Sequence, residues 1–172
     1  MIRVSKNPKH LTEEIVSEWH MKELDHTRWF VFTDNRHSFI NNPTRKGQGQ
    51  AQVRGLEGTL SIFTKESYVY REQRARFNRN QWNKDYDSLA LFQKHNTPRL
   101  KEIEELSKSS TEEHIQEVVL PQQFGGDRAF MTSACATWLA NKLNDFVPYH
   151  SRYEVICVQG QAGCYIKSVI SA

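Results

Sequence analysis

The chain has 172 residues, an apolar fraction of 38%, a charged fraction of 25% and a formal net charge of +3. This length fits a single domain with a sizeable core, and the composition is globular and not disordered. No run approaches the roughly 18 apolar residues of a membrane span, and residues 1–9 lack the apolar stretch of a secretion signal. We therefore expect a cytoplasmic protein whose three cysteines are reduced.

The first half of the chain predicts one helix followed by several strands. Thr12-Glu13-Glu14 begins the helix, and a strand covers residues 27–33. A flexible loop is expected at 41–50, where glycines and polar residues dominate. Two further strands are predicted at 51–54 and 59–64, and a third runs to about Arg71.

The second half predicts mainly helices. One helix covers residues 81–95, with Asn80 as its cap, and another begins at Thr97-Pro98. Residues 115–120 form a short apolar run of either type. The strongest helix follows Gly125-Gly126, is capped by Asp127 and ends at Pro148. Its inner face is predicted to contain Phe130, Ala134, Trp138, Leu143 and Phe146.

The chain ends in a predicted β-hairpin. Residues 153–158 and 164–170 alternate around a glycine-containing turn that places Cys157 opposite Cys164. The two cysteines could form a cross-strand thiol pair, but two small buried apolar side chains are the favoured interpretation.

These elements predict an α+β fold. The strands occur in groups and do not alternate strictly with helices. We expect a single domain over residues 1–172, with a mostly antiparallel sheet, several packed helices and the C-terminal hairpin.

Several chemistries lack support in the sequence. There is no phosphate-binding glycine loop, and the histidines and cysteines lack the spacing of a zinc site. Cys135 could be a nucleophile with His114 or His150, but its alanine neighbours favour close helix packing. We expect no metal, no cofactor and no catalytic residue, although an enzyme with a pocket at Asp34, His37 and Glu57 stays open as a third hypothesis.

The charge distribution is uneven. Residues 36–101 carry 13 Lys or Arg against 5 Asp or Glu, whereas residues 102–127 carry one Lys against 7 acidic residues. The basic region includes four arginines within nine residues, flanked by aromatic side chains. Arginine suits bidentate phosphate contacts, and aromatic rings stack on bases. The pattern is typical of nucleic-acid binding.

The leading hypothesis is a non-enzymatic DNA- or RNA-binding domain. Its predicted contact residues are Arg45, Lys46, Arg54, Tyr70, Arg71, Arg74, Arg76 and Arg79. The alternative is a protein-interaction module, such as an inhibitor or accessory subunit, whose basic face meets an acidic partner. The arginines could also pair internally with the acidic stretch, which would leave them no outside partner.

Overall fold

The computed structural model describes residues 9, 11–18, 28–44, 46–47, 49–66, 84–108, 115, 117–125, 131–147, 151–158 and 163–170. Its α-helices are α1 (Glu13–Val16), α2 (Arg36–Asn41), α3 (Leu89–Ser107) and α4 (Ser133–Phe146), and a 3₁₀ helix covers Gly49–Val53. The strands are β1 (Arg28–Asn35), β2 (Thr59–Glu66), β3 (Lys84–Asp85), β4 (Glu117–Val119), β5 (Ser151–Cys157) and β6 (Cys164–Ile170).

The main sheet has the order β3-β2-β1-β4, and β1 pairs in parallel with both β2 and β4. Only the two-residue strand β3 is antiparallel to its neighbour in this sheet. The predicted mostly antiparallel sheet is therefore wrong. The reason is that residues 36–58 cross back over the sheet and do not form a hairpin, which lets β1 and β2 run in the same direction.

The burial of β1 matches this parallel arrangement. Every residue from Phe30 to Asp34 is buried, as expected for a strand covered on both faces. One face packs against α3, α4 and the hairpin, through residues such as Val31 and Ile62. The other face packs against α1 and the 3₁₀ helix, through Phe30 and Phe32.

Several helix predictions need correction. Residues 49–53 form the 3₁₀ helix where a strand was predicted at 51–54. The two helices predicted at 81–95 and from Thr97-Pro98 are one helix, α3, which Ser88 caps and which contains Pro98. The proline removes one backbone donor, but buried Asn96 and Leu100 hold this helix against the core on either side of it.

The start of α4 also differs from the prediction. Thr132 is its cap, with a hydroxyl that accepts from the Cys135 amide, so Asp127, which lies outside the described residues, is not. The later start changes the inner face, because helix phase decides which positions meet the core. Ala134 is exposed, and the buried side is made by Cys135, Ala136, Leu139, Ala140 and Leu143.

The C-terminal hairpin is confirmed. Strands β5 and β6 pair antiparallel, with Cys157 opposite Cys164. These cysteines form a disulfide, with their Cα atoms 4.4 Å apart. The interpretation as two buried apolar side chains, and with it the expectation of reduced thiols, is wrong for this pair. Cys157 is exposed, so apolar burial does not account for it.

Side chains bind the backbone at three strand edges. The Asn96 amide accepts from the Phe63 N–H at 2.8 Å and donates to the Phe63 carbonyl at 2.9 Å. Asn144 binds the N–H and carbonyl of Tyr153 in the same way. The Tyr153 hydroxyl accepts from the Val118 N–H and donates to its carbonyl. Each side chain supplies the hydrogen bonds that a neighbouring strand would have made.

Within the described ranges, no helix has the length and apolar character that crossing a membrane requires.

Candidate functional site

The carboxyl ends of β1 and β2 gather most of the buried polar groups of the sheet. From β1 the chain proceeds to β2 and β3 and then returns to β4 on the other side of β1. In open sheets with parallel strands, ligands bind beyond the carboxyl ends of the strands, next to such a reversal. This edge is therefore the first place to look for a site.

A β-bulge lies at this edge. Asp34 pairs with Phe63 and Asn35 pairs with Lys65, so Thr64 is the extra residue of β2. Its side chain is buried, and its hydroxyl has no hydrogen-bond partner among the residues that the structure describes. Bulges often redirect side chains next to functional sites, and a buried unpaired hydroxyl is uncommon enough to require a reason.

Asp34 and Arg54 form a buried ion pair beside the bulge. Each residue is 5% exposed, and Arg54 donates from Nε to Asp34 Oδ2 at 2.8 Å and from Nη2 to Oδ1. Gly47 packs directly on this pair, since a Cβ at that position would lie 2.8 Å from the Ala51 Cβ and 3.1 Å from Arg54 Nη2. Arg54, predicted to contact nucleic acid, is thus committed to Asp34.

The other predicted contact residues lie in two places. Lys46 is half-exposed and forms an ion pair with Glu13 of α1. The remaining six lie outside the described residues: Arg45, Tyr70, Arg71, Arg74, Arg76 and Arg79.

The described strands nevertheless fix where the basic segment leaves and rejoins the fold. Glu66, the last residue of β2, pairs with Lys84, the first residue of β3. Residues 67–83, which include all four clustered arginines, therefore connect two neighbouring backbone positions at the carboxyl end of the sheet. The sequence did not predict this closure, because the β3 strand has only two residues.

Helices α2 and α3 place two further arginines at the same edge. Arg99 of α3 donates to the Ser61 carbonyl at 3.1 Å and to the Ser61 hydroxyl at 3.0 Å. Its guanidinium lies 4.2 Å from the ring centroid of Phe39 in α2 and 5.5 Å from that of Phe63. Arg36 lies three residues before Phe39 on α2, hence on the same helix face.

His95 completes this group. It lies one turn before Arg99 on α3, and its Nδ1 is 2.7 Å from the Tyr86 hydroxyl. Burial lowers the pKa of His95, and the positive charge of Arg36 lowers it further, while Glu66 raises it and Lys94 lowers it. The influence of Arg36 on His95 shows that α2 and α3 face each other across a cleft containing Arg36, Phe39, His95 and Arg99.

The two cleft arginines lack carboxylate partners. Within the described part of the chain, neither Arg36 nor Arg99 has a carboxylate oxygen within ion-pair distance. Burial lowers the pKa of Arg99, and the carboxylates of Glu102 and Asp34 act on it in the opposite direction. Sequence analysis missed this cleft, although the i,i+4 spacing of His95 and Arg99 is visible in the sequence.

The acidic stretch is engaged elsewhere. Lys108 binds Glu104 at 2.9 Å and Lys101 lies 3.9 Å from Glu105, both within or at the end of α3. Glu117 accepts from Arg28 of the adjacent strand at 3.1 Å. None of these three cations belongs to the predicted arginine cluster.

The residues of the enzyme hypothesis are not brought together. Asp34 lies at the carboxyl end of β1, whereas Glu57 precedes β2 and lies at the opposite end of the parallel pair. Cys135 is buried in α4, and burial raises the pKa of its thiol, which opposes nucleophilic reactivity. His114 and His150 lie outside the described residues, and among those described no cluster of His, Cys, Asp and Glu could hold a metal.

Comparison with known proteins gives no relative: no family model matches the sequence, and neither the curated proteins nor the solved structures contain a significant match. What this site binds must be inferred from its own residues.

Proposed function

We propose that the protein is a non-enzymatic nucleic-acid-binding domain whose contact surface is the connection 67–83 together with the carboxyl end of the parallel sheet. Arg71, Arg74, Arg76 and Arg79 contact phosphates, and Tyr70 stacks on a base. Arg45 and Lys46 extend this surface from the connection between α2 and the 3₁₀ helix. Arg54 supports the site from within, through Asp34, and does not touch the ligand.

The observation that carries the proposal is the pairing of Glu66 with Lys84. It ties both ends of the arginine-rich connection to one sheet edge, the edge at which parallel sheets bind ligands. The same edge carries Arg36 and Arg99, so positive charge converges there from three separate parts of the chain. A concentrated positive field attracts the phosphate backbone regardless of sequence.

The ion pairs of the acidic stretch support an external partner over an internal network. Glu104, Glu105 and Glu117 already have cations from α3 and β1. The arginine cluster is therefore not needed to neutralise them, and it keeps its charge for a ligand.

The cytoplasm is where we place this function. Disulfides are rare there, and those that occur are usually transient or redox-sensing, so we expect the Cys157–Cys164 disulfide to exchange with thiols in the cell. Exposed Cys157 provides the point of attack. Alkylation of free thiols in freshly lysed cells, followed by mass spectrometry, should find a reduced fraction; a fully oxidised pair would contradict the location.

Binding to nucleic acid is tested directly by anisotropy titration with random duplex and single-stranded oligonucleotides. If about six phosphates are contacted, affinity falls about a thousandfold between roughly 50 and 200 mM salt. No binding below about 100 µM at low salt contradicts the proposal.

The site is tested by changing Arg74, Arg76 and Arg79 together to Gln. We expect an unchanged melting temperature and lost binding. The control replaces three exposed cations elsewhere, Lys108, Arg152 and Lys167, and should retain most of the affinity because these lie on α3 and the hairpin. Equal losses in both variants would reduce the site to a general charge effect.

An acidic protein partner would depend on the same arginines. Nuclease treatment distinguishes the two: a captured nucleic acid disappears from a pull-down, whereas a protein partner survives. Survival of a stoichiometric protein partner, with no oligonucleotide binding, would replace the proposed function with the interaction-module alternative.

A further inference from the structure

The cleft between α2 and α3 has the composition of an anion site that the arginine-rich connection does not explain. Arg36 and Phe39 come from α2, and His95 and Arg99 come from α3. Within the described residues, the two guanidinium groups have no ion pair to balance their charge. A partly buried cation without a counter-charge is costly unless another group supplies one.

The Arg99 side chain is fixed before any ligand arrives. Nε and Nη2 bind Ser61, and the ring of Phe39 covers the plane of the guanidinium at 4.2 Å. Two of its five N–H groups are used in this way, and three remain. A guanidinium held in one orientation with free donors loses little entropy on binding an oxyanion.

The surrounding carboxylates do not cancel this charge. Asp34 is neutralised by Arg54, and Glu102 is exposed. Glu66 is the one buried carboxylate that acts on His95, and it faces the opposing influences of Arg36 and Lys94. With Arg36 and Arg99 both charged and Glu66 as the single buried counter-charge, the cleft keeps a net positive charge.

We propose that the cleft between α2 and α3 binds one phosphate group, held between the guanidinium groups of Arg36 and Arg99 with His95 as a third donor. Two planar forks on opposite walls match the oxygens of a tetrahedral phosphate. The Tyr86 hydroxyl, bound to Nδ1, fixes the ring so that Nε2 can donate to the ligand. The site is independent of residues 67–83, so it stands even if the proposed nucleic-acid contacts there fail.

The test is a titration of the full-length protein with inorganic phosphate, followed through the ring signals of His95 by NMR, with sodium chloride at matched ionic strength as the control. We expect a saturable change with phosphate and none with chloride. A bound anion favours the charged imidazole, so the pKa of His95 should rise. The absence of a saturable change overturns the proposal.

Arg36→Gln is the decisive variant, because Arg36 makes no hydrogen bond within the described residues and its replacement leaves the packing intact. Loss of its charge-assisted contacts should weaken phosphate binding about tenfold. Arg99→Lys keeps the charge but loses the fork, and should weaken binding by a similar factor. Arg152→Gln, which removes an exposed arginine of the hairpin, is the matched control and should bind as the unchanged protein does. Equal binding by the Arg36→Gln variant contradicts the site.

Two competitors identify the source of the phosphate. A phosphate monoester such as glycerol phosphate represents a small metabolite or a strand end, and a dinucleotide represents the phosphodiester of an internal nucleic-acid linkage. Displacement of inorganic phosphate by either one supports the site and names its ligand class, while displacement by neither contradicts it. The variant with Gln at 74, 76 and 79 should retain phosphate binding, which separates this result from a failure of the proposed function.

Discussion

The C-terminal hairpin and the carboxyl end of the parallel sheet both contain buried polar side chains, but the two regions use them differently. In the hairpin, Asn144 binds the backbone of Tyr153, and the Tyr153 hydroxyl binds the backbone of Val118. At the sheet end, the Thr64 hydroxyl and the Arg36 guanidinium have no hydrogen-bond partner among the described residues. The hairpin is therefore a structural region, and the sheet end has the unused capacity that a binding site needs.

The largest expected effect tests the structural side of this comparison. Tyr153 and Ile166 of the hairpin are buried in the main core, together with Cys164. Ending the chain after Pro148 removes both strands and the hydroxyl that closes the β4 edge. We expect the truncated protein to lose cooperative thermal unfolding, measured by circular dichroism and calorimetry.

A truncated protein that still unfolds sharply at a similar temperature would show that the hairpin is peripheral. The comparison would then lose its structural half.

The next largest effect concerns the ion pair beneath the proposed site. Asp34→Ala leaves the guanidinium of Arg54 buried without its carboxylate, and breaking a buried pair from one side costs about 3–5 kcal/mol. Urea denaturation measures this loss. Glu105→Ala, which removes the exposed partner of Lys101, is the control and should cost less than about 1 kcal/mol.

The double variant Asp34→Ala with Arg54→Leu sharpens the result. Removing both charges should recover most of the lost stability, since no unpaired charge remains. A double variant as unstable as Asp34→Ala alone would mean that shape, and not charge, explains the loss.

Sequence patterns predicted the local elements of both regions well. Strand β1, strand β2 and the hairpin register follow from residue types and turns over short distances. The direction of pairing between β1 and β2 does not, because it depends on how residues 36–58 cross the sheet. The two helices predicted around Pro98 failed for a related reason: burial of Asn96 and Leu100 outweighs the local preference of proline to end a helix.

The site was less accessible to sequence reasoning than the fold. Arg54 was predicted as a surface contact because it lies near a basic loop, but its partner Asp34 is 20 residues away. The cleft joins Arg36 to His95 across two helices and a sheet edge, a distance that no local pattern spans. Charge counts correctly point to a basic region, but they do not show which cations already have partners.

A smaller effect separates backbone binding from simple packing at Tyr153. Tyr153→Phe keeps the ring but leaves the Val118 N–H and carbonyl unpaired, at a cost of about 1–3 kcal/mol. Burial raises the pKa of the Tyr153 phenol above its usual value of 10.0. The unfolded chain therefore releases this proton first as pH rises, so stability should fall above about pH 10.

The Tyr153→Phe variant should lack this part of the alkaline loss, as measured by urea midpoints from about pH 8 to 11. Burial also raises the pKa of Cys135, which adds a loss of the same sign to both proteins and cancels in their difference. Identical pH profiles for the two proteins would contradict the role assigned to the hydroxyl.

The smallest effect has the opposite sign and concerns Thr64. A buried hydroxyl without a hydrogen bond costs about 1–3 kcal/mol, and valine has nearly the same shape and the same preference for strands. We expect Thr64→Val to raise stability by about 1 kcal/mol, or the melting temperature by about 2–4 °C. Thr59→Val is the matched control on the same strand: its hydroxyl donates to the Leu56 carbonyl at 2.6 Å, so its loss should be destabilising. If Thr64→Val is destabilising as well, the Thr64 hydroxyl has a partner such as a bound water, and the sheet end is built like the hairpin. A gain in stability combined with weaker phosphate binding would instead show that this hydroxyl is kept, at a cost to the fold, for the ligand.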